Sequence, residues 1–272
     1  MSLTSSTTLG RAVDVHDRTL LGKVAVITGS STGIGASIAV ELGSRGAKIV
    51  LNYPYPTLKE EAEKVGEPIT TDWTAVEADL STTDGPGKLI AAAVEKFGTI
   101  DILVNNVGRV LMSSLAEATL QEWQSSIDTN ARMFLVTQAA LPHLTPNGTG
   151  SGSRIINIIS AASTDPESHQ TIYAASKAAG HAMSKCWASE LPSKYGCTVN
   201  SVALGLIITE ASKRATPGLE DMLTAMFDAR TPVSGSFAYP KDVAWAVAFL
   251  AEERSSWING ACVNVSGGLI RR

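Results

Sequence analysis

From residue 23 onward the chain alternates short runs of apolar, largely β-branched residues with longer stretches in which apolar residues recur every three or four positions. The short runs fall at 24–28, 47–51, 74–78, 100–104, 154–159, 198–203 and 261–265. Helical periodicity falls at 33–44, 58–65, 86–97, 120–141, 173–191 and 240–251. Such an alternation predicts parallel strands joined by crossover helices. Strands that are apolar at nearly every position, rather than every second one, have both faces covered. The pattern therefore predicts one α/β domain: a doubly wound Rossmann fold, a seven-stranded parallel sheet with helices on both faces. Its ligand belongs at the carboxyl ends of the strands. No internal repeat or long linker interrupts it.

Composition narrows the function classes. An apolar content of 44% supports a sizeable core, and 22 Lys plus Arg against 26 Asp plus Glu leave a formal charge of -4 with no block of like charges. Neither a nucleic-acid partner nor a membrane surface is expected from that balance. Cys186, Cys197 and Cys262 lack paired spacing and neighbouring histidines, so they read as reduced thiols, with no metal site, in a cytoplasmic protein. Residues 1–20 are rich in Ser and Thr and broken by charges; they read as a flexible arm preceding the domain at 21–272. No apolar run is long enough to span a bilayer.

Two constellations carry chemistry. Directly after the first strand stands Thr28-Gly29-Ser30-Ser31-Thr32-Gly33-Ile34-Gly35, entering a helix. Glycines there permit a tight turn and close backbone approach, and the free N–H groups of the helix start attract a pyrophosphate. Alone, three glycines are weak evidence; between a first strand and a first helix they are strong. At the other end of the chain, Tyr173 and Lys177 lie four residues apart in a helical run, one turn apart on one face. An ammonium there would lower the pKa of the phenol and suit it to proton transfer. Taken alone, a pair at this spacing is more often an exposed helical contact than a catalytic dyad.

In order along the chain these motifs resemble the short-chain dehydrogenases and reductases. The Gly-x-x-x-Gly-x-Gly turn is followed by Asp79, Asn105-Asn106-Val107-Gly108, Asn130, Ser160, and Tyr173 with Lys177. The resemblance covers 21–268 and implies a catalytic set of Asn130, Ser160, Tyr173 and Lys177. It implies a dinucleotide held by Gly29, Ser31, Thr32, Gly33, Ile34, Gly35, Asp79, Leu80, Asn106 and Gly108, with Gly205, Ile207 and Thr209 along the nicotinamide half. Tyr173 and Lys177 would also contact the cofactor. Asp79 would take the adenine, though a carboxylate starting a turn with Ser81 and Thr82 explains it as well. Asn130 would bend its helix around a proton-relaying water.

At the end of the second strand the chain reads Leu51-Asn52-Tyr53-Pro54, with no carboxylate to bond a ribose 2′-hydroxyl or repel a 2′-phosphate. NADP(H) is expected on that ground, with Ser31, Thr32 and Asn52 as donors and Tyr53 as a further cofactor contact. The Asn-Tyr ending resembles fungal polyhydroxynaphthalene-type reductases and implies secondary metabolism. Ser163 rivals Ser160, which is preferred because it follows its strand directly.

Three departures stand out: Val107 replaces the family's alanine, Leu204 the proline that packs on the nicotinamide, and Ser266 an aspartate. Segment 210–237 is the expected substrate lid, in which Met222, Leu223, Met226 and Phe227 could form an apolar wall or simply pack a short helix. An apolar or aromatic ketone is the expected substrate. Reduction of an imine or iminium, and a non-catalytic dinucleotide-sensing role, remain the alternatives. Arg132 reads as a helix-face or interface residue and Asp165 as a turn former, with Asp165 or His169 as less favoured substrate contacts. A homodimer or homotetramer, formed through the helices near 120 and 173 and the last strand, is implied by the resemblance alone.

Overall fold

A computed structural model describes residues 18–145, 152–233 and 237–271. Seven parallel strands form one sheet in the order β3-β2-β1-β4-β5-β6-β7. They are β1 (Val24–Ile27), β2 (Lys48–Tyr53), β3 (Trp73–Glu77), β4 (Ile102–Asn105), β5 (Ser153–Ser160), β6 (Cys197–Leu204) and β7 (Cys262–Val265). The helices that join them are α1 (Gly33–Ser44), α2 (Lys59–Gly66), α3 (Gly85–Phe97), α4 (Leu120–Asn130), α5 (Met133–Ala140), α6 (Thr171–Glu190), α7 (Pro192–Tyr195), α8 (Glu210–Ala215), α9 (Leu219–Phe227) and α10 (Pro240–Ala251).

The apolar runs divide by parity between two cores, as a two-residue side-chain period requires. Ala25, Ile27, Ile49, Leu51, Ile102 and Val104 pack under α1 and α10, whereas Val26, Val50, Leu103, Ile155 and Val199 meet α3, α5 and α6 on the other face. This is the doubly wound architecture read from the strand pattern. Strand order reverses between β1 and β4, which opens a crevice at their carboxyl ends.

Two elements differ from the sequence pattern. The helix expected over 120–141 is two helices, broken at Ala131 and Arg132. Neither residue is a helix breaker; the tertiary contacts of Asn130 and Arg132 described below hold the bend. The second strand runs through Asn52 and Tyr53, which pair with Val76 and Glu77 instead of ending at Leu51. Of the expected arm, positions 1–17 lie outside the described residues. Leu20 is buried in the core, and its N–H donates to Arg45 O at 2.9 Å. Among the described residues no helix is long and apolar enough to cross a membrane.

Candidate active site

The crevice begins at the glycine turn. Gly29 and Gly33 have φ of 60° and 61°, a region that favours glycine. A Cβ on Gly35 would stand 2.3 Å from Gly29 O and 2.6 Å from Asn106 Nδ2, so the turn is packed too closely for any side chain. Asn106 Nδ2 holds it by donating to Thr28 O at 2.9 Å and Gly29 O at 3.0 Å. Thr28 Oγ1 in turn accepts from Asn106 N at 2.8 Å and Val107 N at 3.1 Å, stapling β1 to β4. Thr32, at the N-cap of α1, makes no side-chain cap. The first amides of a twelve-residue helix are thus left to an external anion.

A cleft of about 440 Å³ extends from this turn. Gly29, Ser31, Thr32, Gly33, Ile34, Gly35, Asn52, Asp79, Leu80, Asn106, Gly108 and Thr209 all line it, as do Pro54, Tyr55, Leu58, Ser81, Arg109 and Thr129. A bare glycine cradle, an uncapped helix start and a long cleft at the sheet's switch point fit a dinucleotide. Asp79 combines both sequence readings. Its Oδ1 accepts from Ser81 N at 2.9 Å and Ser81 Oγ at 2.7 Å, starting a turn, while the residue still faces the cleft.

The end of β2 corrects the expected phosphate donors. Asn52 is 1% exposed, its Oδ1 accepts from Gly29 N at 2.9 Å and its Nδ2 donates to Ala78 O at 2.9 Å. Both ends of the carboxamide are used inside the fold, because the strand continues through this position and turns the side chain toward the glycine turn. Asn52 therefore positions that turn and is not a free phosphate donor. Tyr53 is buried and does not line the cleft; the exposed Tyr55, absent from the sequence reading, does.

The chemical end lies on α6. Tyr173 is buried against Ala162 and Ala174, with the Ser160 hydroxyl as its hydrogen-bonding neighbour. Burial raises the phenol pKa, and the Ser160 hydrogen bond opposes part of that shift. The lowering expected from Lys177 is not what the structure has, because desolvation of the phenolate dominates. Lys177 is buried, its Nζ donates to Ile158 O at 3.1 Å, and burial lowers its pKa to about 8. Gly108 meets this ammonium directly: a Cβ there would stand 2.7 Å from Lys177 Nζ and 3.2 Å from Asn130 Oδ1.

Ser160 Oγ accepts from Ala162 N at 3.2 Å, whereas the Ser163 hydroxyl is spent on Ser160 O. Ser163 is thus turned back on the main chain, while Ser160 lies beside Tyr173. Asn130 Nδ2 reaches Ser176 Oγ at 3.0 Å and Ser126 Oγ at 3.3 Å, tying the helix break to α6.

Ser160 also lines a second cavity, walled by Ala161, Ala162, Leu204, Gly205, Leu206, Phe227 and Ile270 and rimmed by Asp165, Glu167, Gln170 and Arg230. Leu204 and Phe227 supply apolar surface here, while Met222 and Met226 are exposed. Arg230 pairs with Glu167 across the rim and lies 5.3 Å over the Phe227 ring. Ile207 and His169 line neither cavity. Ile207 instead bridges to Ala238. His169, at φ 65°, has a carbonyl that accepts from Ser113 N at 2.9 Å. One helical turn, Tyr173 to Lys177, thus reaches the second cavity through Ser160 and the nucleotide cleft through Gly108.

A family model described as "Enoyl-(Acyl carrier protein) reductase" matches residues 29–270. The chain is 39% identical to the short-chain dehydrogenase/reductase FrzI of a Cladobotryum species, over 92% of this chain and 97% of that protein. It is 36% identical to versicolorin reductase 1 of Aspergillus parasiticus, over 92% and 97%. A solved structure of a short-chain dehydrogenase from Burkholderia cenocepacia, in complex with NADP, superposes with a TM-score of 0.80 at 32% identity, covering 92% of this chain and 99% of that one.

Proposed function

The chain belongs to the short-chain dehydrogenase/reductase family of oxidoreductases, and from that premise we propose that it binds NADPH and reduces the carbonyl of an apolar or aromatic small molecule, with Tyr173 as proton donor. The observation that carries this reading is the Tyr173–Lys177 turn: Tyr173 neighbours Ser160, which lines the second cavity, and Lys177 packs against Gly108, which lines the nucleotide cleft. The bound dinucleotide supplies the hydride. Every other part of the step belongs to the protein.

The amides of α1 and the glycine turn take the phosphates, with Ser31 and Thr32 beside them, and Asp79 takes the adenine. The absence of a carboxylate over 52–55, and the NADP bound to the Burkholderia cenocepacia protein, support NADPH over NADH. Gly205, in the second cavity, and Thr209, in the nucleotide cleft, flank the nicotinamide half, while Ile207 holds the segment between them through its bridge to Ala238. Ser160 accepts from Ala162 N, and its O–H, which faces Tyr173, can turn to a carbonyl oxygen that enters between the two hydroxyls. Tyr173 is a second donor, and its raised pKa keeps the phenol protonated across the neutral range. Together they form a two-point site for negative charge developing on oxygen. Lys177, whose Nζ and the Asn130 carboxamide both lie against Gly108, would resupply the proton to Tyr173 by way of the ribose hydroxyls and a water held beside Asn130.

The apolar wall of Leu204, Leu206, Phe227 and Ile270 supports an apolar or aromatic ketone, with 210–237 as the lid of a catalytic domain spanning 21–272. The names of the fungal relatives support a role in secondary metabolism. Three free cysteines support a cytoplasmic setting. Exposed Trp123 and Phe134, on α4 and α5, support a homodimer or homotetramer.

A second reading, reduction of an iminium carbon at the same site, is favoured by one observation: Asp165 and Glu167 put two carboxylates beside one guanidinium at the cavity rim. Fluorescence titration with NADPH and NADH, followed by turnover on bicyclic aromatic ketones and cyclic imines, tests both. Tighter NADH binding overturns the cofactor assignment. NADPH binding without turnover on either class returns the chain to a dinucleotide-sensing role.

A further inference from the structure

The break between α4 and α5 holds both walls of the nucleotide cleft. On one side Asn130 grips the main chain of Arg109, which lines the cleft just beyond Gly108. On the other side the bend carries Arg132, at the N-cap of α5. Its Nε and Nη2 both lie 2.9 Å from Asp128 Oδ1, which fixes the plane of the guanidinium. Its Nη1 then donates to Ser81 O at 2.6 Å, across 51 residues of sequence. An Arg fork held by a carboxylate is pre-organised, so little freedom is lost in making the further bond.

Ser81 is the residue whose N–H and hydroxyl both hold Asp79 Oδ1. The same turn is closed by Thr82, which donates to Asp79 O at 2.7 Å and accepts from Gly85 N at 3.1 Å. A rigid relay therefore runs from Asp128 through Arg132 and Ser81 to the Asp79 carboxylate that faces the cleft. The helix-face role suggested by sequence does not account for a guanidinium spent on a carbonyl of a distant turn.

We infer that Arg132 is a positioning residue for the adenosine half of the dinucleotide, setting the Asp79–Ser81 turn through its bond to Ser81 O. The inference rests on the cofactor reading above. It assigns Arg132 no contact with the cofactor and no part in the proton path.

The test uses the full chain, Arg132→Gln and Asp128→Asn. It compares calorimetric binding of NADPH with that of adenosine 2′,5′-bisphosphate, which carries the adenosine end and lacks the nicotinamide. Arg132→Gln should weaken both compounds by the same factor, roughly three- to tenfold, the effect of losing one charge-assisted hydrogen bond that acts through a neighbour. Asp128→Asn, which keeps Arg132 but loosens its plane, should weaken both in the same direction and by less. Arg132→Lys should recover part of the loss. Amide hydrogen exchange over 80–84 should quicken in Arg132→Gln without cofactor, a readout independent of binding.

Unchanged bisphosphate affinity in both variants overturns the inference and leaves the cofactor reading standing. Loss of NADPH affinity alone overturns it too, because the effect would then lie at the nicotinamide end. A wild-type chain that binds neither compound overturns the cofactor reading and this inference together.

Discussion

The Asn130 carboxamide pairs with the main chain of Arg109 in both directions, accepting from its N–H at 2.8 Å and donating to its carbonyl at 3.0 Å. A side chain that reads a backbone in this way acts as one rung of a ladder between the helix break and the loop after β4.

Asn130→Ala removes that rung, returns the N–H and carbonyl of the exposed Arg109 to solvent and takes a donor from the buried Ser126 and Ser176 hydroxyls, a cost of about 1 kcal/mol. Chemical denaturation should register the loss. Asn130→Asp retains an acceptor for Arg109 N but loses the donor to Arg109 O and Ser176 Oγ, so it should fall between alanine and the wild type only where the new charge is tolerated.

Gly35→Ala should abolish measurable NADPH binding at micromolar protein. Its methyl would enter at 2.3 Å from Gly29 O and 2.6 Å from Asn106 Nδ2, both parts of the phosphate cradle. Overpacking of this kind also costs about 1–3 kcal/mol of stability. Titration by nucleotide fluorescence checks the first effect and thermal unfolding the second.

Lys177 gives the stability a pH dependence of definite sign. Its ordinary pKa is 10.5 and its folded value about 8, so between these values the unfolded chain holds more protons and stability rises with pH. Below about pH 8 the cofactor-free protein carries the full penalty of a buried ammonium, about 3 kcal/mol from the size of the shift. Lys177→Met should remove this slope, so that its stability advantage at pH 7 shrinks steadily toward pH 10. Parallel profiles for the two proteins would refute the assignment.

Much of the molecule was legible in the chain because its signals are local. Strand alternation, the three glycines and the four-residue step from Tyr173 to Lys177 depend on period and on backbone freedom, which single residues declare. What escaped the sequence depends on partners far along the chain. Asn52 resembles an exposed strand-end donor until β3 pairs beside it as far as Tyr53 and Glu77. The resemblance implied a bend at Asn130, but its extent is not written locally: Ala131 and Arg132 are no helix breakers, and the bonds at the break run to Arg109 and Ser81 in other loops. The Tyr173 pKa turns on burial rather than on the nearest charge in sequence, and only the packed site reveals which effect is larger. Tyr55 was invisible for a similar reason, since its place in the cleft follows from where β2 ends.

Proton delivery by Tyr173 in the proposed NADPH-dependent carbonyl reduction has its sharpest test in Tyr173→Phe. Turnover of a bicyclic aromatic ketone that the wild type reduces should be compared between the two proteins at saturating NADPH, with cofactor affinity measured alongside. Turnover should fall roughly 10²- to 10⁴-fold, the range of general acid catalysis, with NADPH affinity within about twofold of the wild type. Full reduction by the phenylalanine variant would contradict it.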